Sequence, residues 1–216
     1  MKTRILIIRH GQSQANLEKK YAGRTDVALT ELGRTQGRCT AEFLKNEKID
    51  AVYSSMLTRA YETACFTAQI HNLTVTKDEG VNEINGGEWE NLTYTEIGKK
   101  FPDQLHIWNT NIGRVICENG ESVDQVRDRV YSAIERLAKK HLGQTIVIGC
   151  HGMAIRAFCL KVMGLSLDDM QEKTVWASNA SVTYLDYEDG KFTLIKFCED
   201  EHLKKEGLLT TLVTQA

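Results

Sequence analysis

The sequence has a single proline, Pro102, no C-x-x-C pair among its six cysteines, and no apolar run near the length of a membrane span. Without a Pro/Gly/Ser-rich stretch, a repeat or a low-complexity tract, nothing marks a linker, and the chain reads as one domain over residues 1–216. The cysteine spacing excludes a finger-type metal site. Cys39, Cys65, Cys150 and Cys159 lie in apolar surroundings and read as reduced, buried thiols of a cytoplasmic protein. The N-terminal run Ile5 to Ile8 follows basic residues, as in a secretion signal, but it is too short for one and Arg9 closes it; a core strand is expected instead. Charge of one sign is lacking too. The 27 basic and 29 acidic residues leave a net charge of -2, which gives no basis for binding nucleic acid or for attraction to a membrane.

What is present is an alternation of strand and helix patterns. Ile5 to Ile8 is an Ile-rich buried-strand signal. Thr30 is a candidate N-cap for a helix that turns Leu32, Gln36, Cys39, Phe43 and Leu44 inward. Ala51 to Tyr53 is a short strand, and Ser54 or Ser55 is placed to cap a helix over about Met56 to His71. Val75 starts a weak strand, and Asn82 to Asn91 reads as a loop. Ser122 precedes a helix carrying Val123, Val126, Val130, Ile134 and Leu137 at helical spacing, ended by Gly143. Thr145 to Gly149 is a strand, followed by a helix from about Met153 to Met163. Ser181 to Tyr187 and Phe192 to Phe197 flank Asp189-Gly190, a hairpin-turn pair. The expected fold is α/β: a three-layer α/β/α sandwich on a mostly parallel mixed sheet, with the last hairpin antiparallel.

Two strands end alike, one as I-L-I-I-R-H-G and the other as T-I-V-I-G-C-H-G. Each delivers a histidine followed by glycine to the carboxyl edge of the sheet, where open α/β sheets bind ligands. The glycine is expected to let the backbone turn sharply and approach a ligand. A lone histidine at a strand end is more often structural than catalytic, but the duplicated pattern brings His10 and His151 to one pocket. Arg9 follows four apolar strand residues and calls for an anionic partner. Arg59 falls near the start of a helix, where a cation is disfavoured unless an anion relieves it; pairing with Glu62 is the ordinary alternative.

These residues carry a family resemblance. R-H-G-Q-S-Q-A-N at Arg9 to Asn16 resembles the signature of the histidine phosphatase superfamily, the phosphoglycerate-mutase-like proteins. Four more segments match in order: Gly23 to Gly33, Ser54 to Ala64, Asn82 to Glu90, and the H-G at His151. The resemblance implies that His10 is the nucleophile, and that Arg9, Arg59 and His151 surround the phosphoryl group with Asn16 as a further donor. It implies that Glu83 protonates the leaving oxygen, that Gly23, Arg24 and Thr25 form a pocket rim, and that Asn179 lies near the phosphate. Among the nearby carboxylates Glu79, Glu83, Glu88 and Glu90, only the resemblance selects Glu83. The chemistry agrees with these roles. Phosphoryl transfer asks chiefly for positioning and for cations around three equatorial oxygens, which a pair of arginines can supply without a metal or other cofactor. His10 has to attack in its neutral form, a dianionic phosphate should favour a protonated His151, and burial should raise the pKa of the acid at Glu83.

The resemblance has departures. Asn91 stands where many members have glycine, Gln12 and Ala15 replace the glutamate and tryptophan usual in phosphoglycerate mutases, and the arginine- and proline-rich insertion of those mutases is missing between Glu83 and His151. N-G-E-S at Asn119 to Ser122 resembles a motif of the phosphatase branches. The expected activity is hydrolysis of a small phosphorylated metabolite. Cofactor-dependent phosphoglycerate mutase is the alternative. A catalytically silent phospho-ligand binder is disfavoured because His10, Arg9, Arg59, Glu83 and His151 are all retained. The substrate stays open among sugar phosphates, phosphoglycerates and α-ribazole phosphate. So does the oligomeric state, a weak homodimer being common in such folds.

Overall fold

Ile5 to Ile8 are all fully buried, and successive residues serve different cores. Ile5 and Ile7 pack with Ile146, Ile148 and Phe158, while Leu6 and Ile8 pack with Val52, Ala64 and Val147. A strand apolar on both faces must be covered on both, and that requirement produces three layers.

The computed structural model describes residues 1–210. In chain order its elements are β1 (Thr3–Arg9), α1 (Gln14–Glu18), α2 (Glu31–Phe43), β2 (Ala51–Ser54), α3 (Thr58–Ile70) and β3 (Val75–Lys77). Then come α4 (Tyr94–Lys100), α5 (Pro102–Thr110), α6 (Val123–Lys140), β4 (Thr145–Cys150), α7 (Gly152–Val162) and α8 (Met170–Lys173). The hairpin β5 (Val182–Glu188) and β6 (Lys191–Glu199) leads into α9 (Glu201–Lys205). The sheet order is β3-β2-β4-β1-β5-β6. The pairs β2–β3, β2–β4 and β1–β4 are parallel, and β5 runs antiparallel to both β1 and β6, as the sequence pattern implied. Asp189 and Gly190 make the hairpin turn with φ of 50° and 79°, the left-handed conformation that two-residue turns require. Among the described residues no helix is long and apolar enough to cross a membrane.

Three local expectations need correction. Of the residues expected inside α2, Gln36 and Leu44 are buried and Cys39 half-buried, but Leu32 and Phe43 are 37% and 43% exposed. The buried face is Gly33, Gln36, Gly37, Thr40 and Ala41. The loop after β1 presses against this helix so closely that a Cβ on Gly11 would lie 2.2 Å from the Gly33 carbonyl oxygen. Small residues must therefore occupy the contact, and Phe43 moves to the flank, where it stacks on His202.

The second correction concerns α3, which starts later than expected, with Leu57 in the N-cap position and no side-chain cap. Asp26 takes the Thr58 N–H at 2.7 Å, while Ser55 Oγ accepts the Leu57 N–H at 3.2 Å just before the helix and also faces His151 Nε2 at 2.7 Å. Third, of the four cysteines expected to be buried, Cys150 and Cys159 are, whereas Cys39 and Cys65 are half-buried; all six are free thiols. Helices α4 and α5 carry no periodic apolar pattern strong enough to announce them.

Candidate active site

The parallel register pairs Arg9 with Cys150, and the His10 N–H donates to the Cys150 carbonyl at 3.0 Å. The residues just beyond β1 and β4 are thereby brought side by side, and the His10 and His151 rings lie 5.2 Å apart between centroids. Neither Gly11 nor Gly152 has a positive φ. Gly11 is required by its contact with α2, and Gly152 lets the Trp176 ring and the Arg9 guanidinium pack close, 3.2 and 3.4 Å from where its Cβ would be. Both glycines thus serve close packing around the site rather than a reversal of the chain.

His10 is 4% exposed. Its Nδ1 lies 2.7 Å from the Gly11 carbonyl, which can only accept, so Nδ1 carries the proton and Nε2 is left with its lone pair. Burial first, then the fields of Arg59 and Arg9, hold the imidazole well below its usual range, so it is neutral near pH 7. The nucleophile expected from the sequence is thus set in the required tautomer by a backbone carbonyl. His151 is fully buried behind it, with Nε2 2.7 Å from the Ser55 hydroxyl and no partner at Nδ1. Burial, followed by Arg59, His10 and Arg9, also holds His151 well below its usual range, so both histidines are neutral near pH 7. The charged His151 expected from the sequence requires the dianion to be bound.

Arg9 donates from one terminal nitrogen to the Ala177 carbonyl, and its buried Nε has no partner. Arg59, 2% exposed, stands in the first turn of α3 and donates to the carbonyls of Thr25 (2.8 Å) and Gly23 (2.6 Å). Burial lowers both guanidinium pKa values, that of Arg59 to about 10, and both stay charged at neutral pH. Glu83 is half-buried rather than set in an apolar pocket. Its Oε1 accepts the N–H of Ile84 and Ala154, both at 3.0 Å, and Oε2 accepts that of Met153 at 3.1 Å. It therefore sits on the N-terminal amides of α7, with Oε2 the less committed oxygen.

These side chains frame a cleft of ≈ 100 Å³ lined by Arg9, His10, Asn16, Gly23, Arg59 and Glu83, with Tyr21, Tyr94, Trp108 and Trp176 among its other walls. A second chamber of ≈ 430 Å³ continues from it and shares Arg9, Asn16, Lys20 and the last three aromatic walls. Asn16 spends its carbonyl oxygen on Ser13 and Asn179, which leaves its amide N–H groups for the cleft. Asn179 lines only the outer chamber, and its amide donates to the His10 carbonyl at 3.0 Å. Arg24 and Thr25 line neither space. The Arg24 guanidinium pairs with Glu121 at 3.1 Å, and Thr25 donates its N–H to Glu90 at 2.9 Å. Glu90 also accepts the N–H of Arg24 and of Gly86, both at 2.8 Å, so it fastens the rim. Glu88 binds Asn119 at the surface, and Glu83 is the one of the four competing carboxylates that reaches the cleft.

Sequence reasoning missed several residues of the site. Thr63, one turn after Arg59, accepts the Gly11 N–H at 3.0 Å, a placement its i+4 spacing from Arg59 could have suggested. The contact of Ser55 with His151 has no sequence signal of its own. Tyr94, Trp108 and Trp176 lie on segments without periodic signal.

The chain resembles known proteins along most of its length. The family model for the histidine phosphatase superfamily (branch 1) matches residues 5–200. Phosphoserine phosphatase 1 of Hydrogenobacter thermophilus is 30% identical over 93% of this chain and 94% of its own. Phosphoglycerate mutase-like protein 4 of Arabidopsis thaliana is 35% identical over 95% of this chain and 89% of its own. The solved structure of Bacillus stearothermophilus YhfR superposes with a TM-score of 0.89 at 26% identity, covering 93% of this chain and 99% of that one. A match along nearly the whole chain means that the chain belongs to the histidine phosphatase superfamily, branch 1.

Proposed function

We propose that the protein hydrolyses small phosphorylated metabolites through a phosphohistidine on His10, without a metal. The reaction class is phosphomonoester hydrolysis. The observation that carries the residue assignment is the neutral His10, its Nδ1–H fixed on the Gly11 carbonyl, in a cleft with two buried arginines. Nε2 attacks phosphorus, the N–P bond forms and the ester P–O bond breaks. Arg9, Arg59 and the Asn16 amide hold the equatorial oxygens, and Glu83 passes a proton to the departing alkoxide. Water then attacks the phosphohistidine and gives a proton to the Glu83 carboxylate, and the P–N bond breaks to restore the neutral imidazole. His151 supports the phosphoryl group and gains a proton when the dianion is present. Arg24, Thr25 and Gly23 act as rim, and Asn179 positions His10. We read the chain as a single cytoplasmic domain, free to form a homodimer. Mutase activity is less well supported, because the insertion that would close the pocket against water is missing from the sequence.

Phosphate release from a panel of phosphomonoesters should proceed at an undiminished rate in EDTA. Loss of activity restored by magnesium or zinc would contradict the reading.

A second result separates Glu83 from a purely structural role. An alkyl phosphate releases a strongly basic alkoxide that must be protonated as the bond breaks, whereas p-nitrophenyl phosphate releases a stabilised phenolate. General-acid catalysis is worth about 100- to 10,000-fold. Glu83→Gln should therefore slow single-turnover cleavage of the alkyl ester by about that factor and cleavage of the nitrophenyl ester far less. Single turnovers are the measure because Glu83 also serves the hydrolytic step. Equal slowing of both esters would remove Glu83 as the acid.

A further inference from the structure

The ≈ 430 Å³ chamber opens from the cleft beside Arg9 and Asn16, so under the phosphomonoesterase reading it receives the alcohol part of the substrate. Part of its wall comes from beyond the residues that the family model matches, which end at 200. After α9, Gly207 adopts φ of 67° and turns the chain, with its N–H on the Lys204 carbonyl and the Leu208 N–H on the Leu203 carbonyl. The next three residues run along the chamber, and Leu209 and Thr210 line it.

This segment is tied to the catalytic backbone at two points. The buried Gln36 donates from Nε2 to the Leu208 carbonyl at 2.8 Å, and its Oε1 accepts the Gln12 N–H at 2.8 Å. Thr210 donates its hydroxyl to Asn179 Oδ1 at 3.0 Å, and the Asn179 amide donates to the His10 carbonyl at 3.0 Å. The residues that fix the loop behind the nucleophile therefore also fix positions 208 and 210, and Leu209 is held between two anchors. It is 41% exposed, an apolar side chain in a chamber with no acidic residue among the described residues that line it.

We infer that Leu209 is a specificity-determining residue: the segment 207–210 is a fixed wall that sets how large an apolar alcohol group the active site admits. The inference rests on the phosphomonoesterase reading and adds which part of the chain selects the substrate. The test uses two alkyl esters, ethyl phosphate and 2-naphthylethyl phosphate, whose leaving oxygens are alike in chemistry and whose bulk differs. The readout is the ratio of kcat/KM for the bulky ester to that for the small one. Leu209→Phe and Leu209→Trp should lower this ratio in that order, the tryptophan variant by about tenfold or more, as expected when a pocket's volume is changed by several heavy atoms. Leu142→Trp, at an exposed leucine between α6 and β4 that lines neither chamber, should keep the wild-type ratio. Thermal melts establish that each variant is folded. A ratio in both Leu209 variants equal to that of Leu142→Trp overturns the wall while leaving the phosphatase reading intact. A wild-type protein that hydrolyses neither ester overturns both.

Discussion

His10→Ala should reduce phosphate release by on the order of 10,000-fold or more, the scale seen when a catalytic nucleophile is removed from other enzymes. The loss should leave the fold intact. Among the described residues the His10 side chain makes one hydrogen bond, to the carbonyl of its own neighbour, whereas the loop is held through its backbone groups: the His10 N–H on Cys150, the Gly11 N–H on Thr63 and the His10 carbonyl under Asn179. A cooperative thermal transition together with absent turnover is the expected pair of results. Residual activity near the wild-type level would mean that phosphate passes directly to water and that His10 serves only to shape the cleft.

The second large effect is at Arg59. Two arginines flank the nucleophile, and removing one donor from a preorganised anion site typically costs about 100- to 1,000-fold in rate. Arg59→Ala should fall in that range, whereas Arg38→Ala should stay within about twofold, as expected for a surface substitution away from the chemistry. Arg38 is exposed on α2, pairs with Glu31 at 2.9 Å and lies over Phe66. Arg59 also carries the carbonyls of Gly23 and Thr25, so its loss could act only by loosening the rim. Inhibition by inorganic phosphate distinguishes the two. If the guanidinium grips the phosphoryl oxygens, the inhibition constant rises together with the loss in rate; if it only supports the rim, product affinity is unchanged. Arg59→Lys should recover little, because an ammonium cannot reproduce the planar fork that holds two carbonyls and faces an oxyanion.

Most of the site legible in the sequence sits at the ends of strongly patterned strands. Ile5 to Ile8 and Ile146 to Ile148 are apolar on both faces, which makes them central strands, and parallel neighbours in a sheet deliver their C-terminal residues to the same edge. The placing of Arg9, His10 and His151 at one edge follows from that, Arg59 is signalled by a cation at a helix start, and the roles of all four come from the family resemblance. Glu83 did not follow, because a carboxylate in a loop among three others looks the same whether it faces solvent or caps α7. The inward face of α2 differs from the apolar pattern because apolar periodicity finds faces buried by large apolar side chains, whereas here Gly33 meets Gly11 and the rest of the face is Gln36, Gly37, Thr40 and Ala41. The Ser55 hydroxyl accepts the Leu57 N–H at the start of α3 and also meets His151 Nε2, and only the first of these contacts has a sequence signal. The aromatic wall came from α4, α5 and the approach to β5, where tertiary packing rather than local pattern decides the structure.

The central claim is a covalent phosphohistidine, and trapping it is the most direct measurement. Enzyme mixed with a phosphomonoester labelled in its phosphoryl group, quenched within the first turnover in denaturant at alkaline pH and digested, should yield one labelled peptide. That peptide should contain His10, lose its label in acid and keep it in alkali, and be missing from His10→Ala. Product formation through the first turnover with no label on the protein, or a label that resists acid or maps to another residue, would contradict the account.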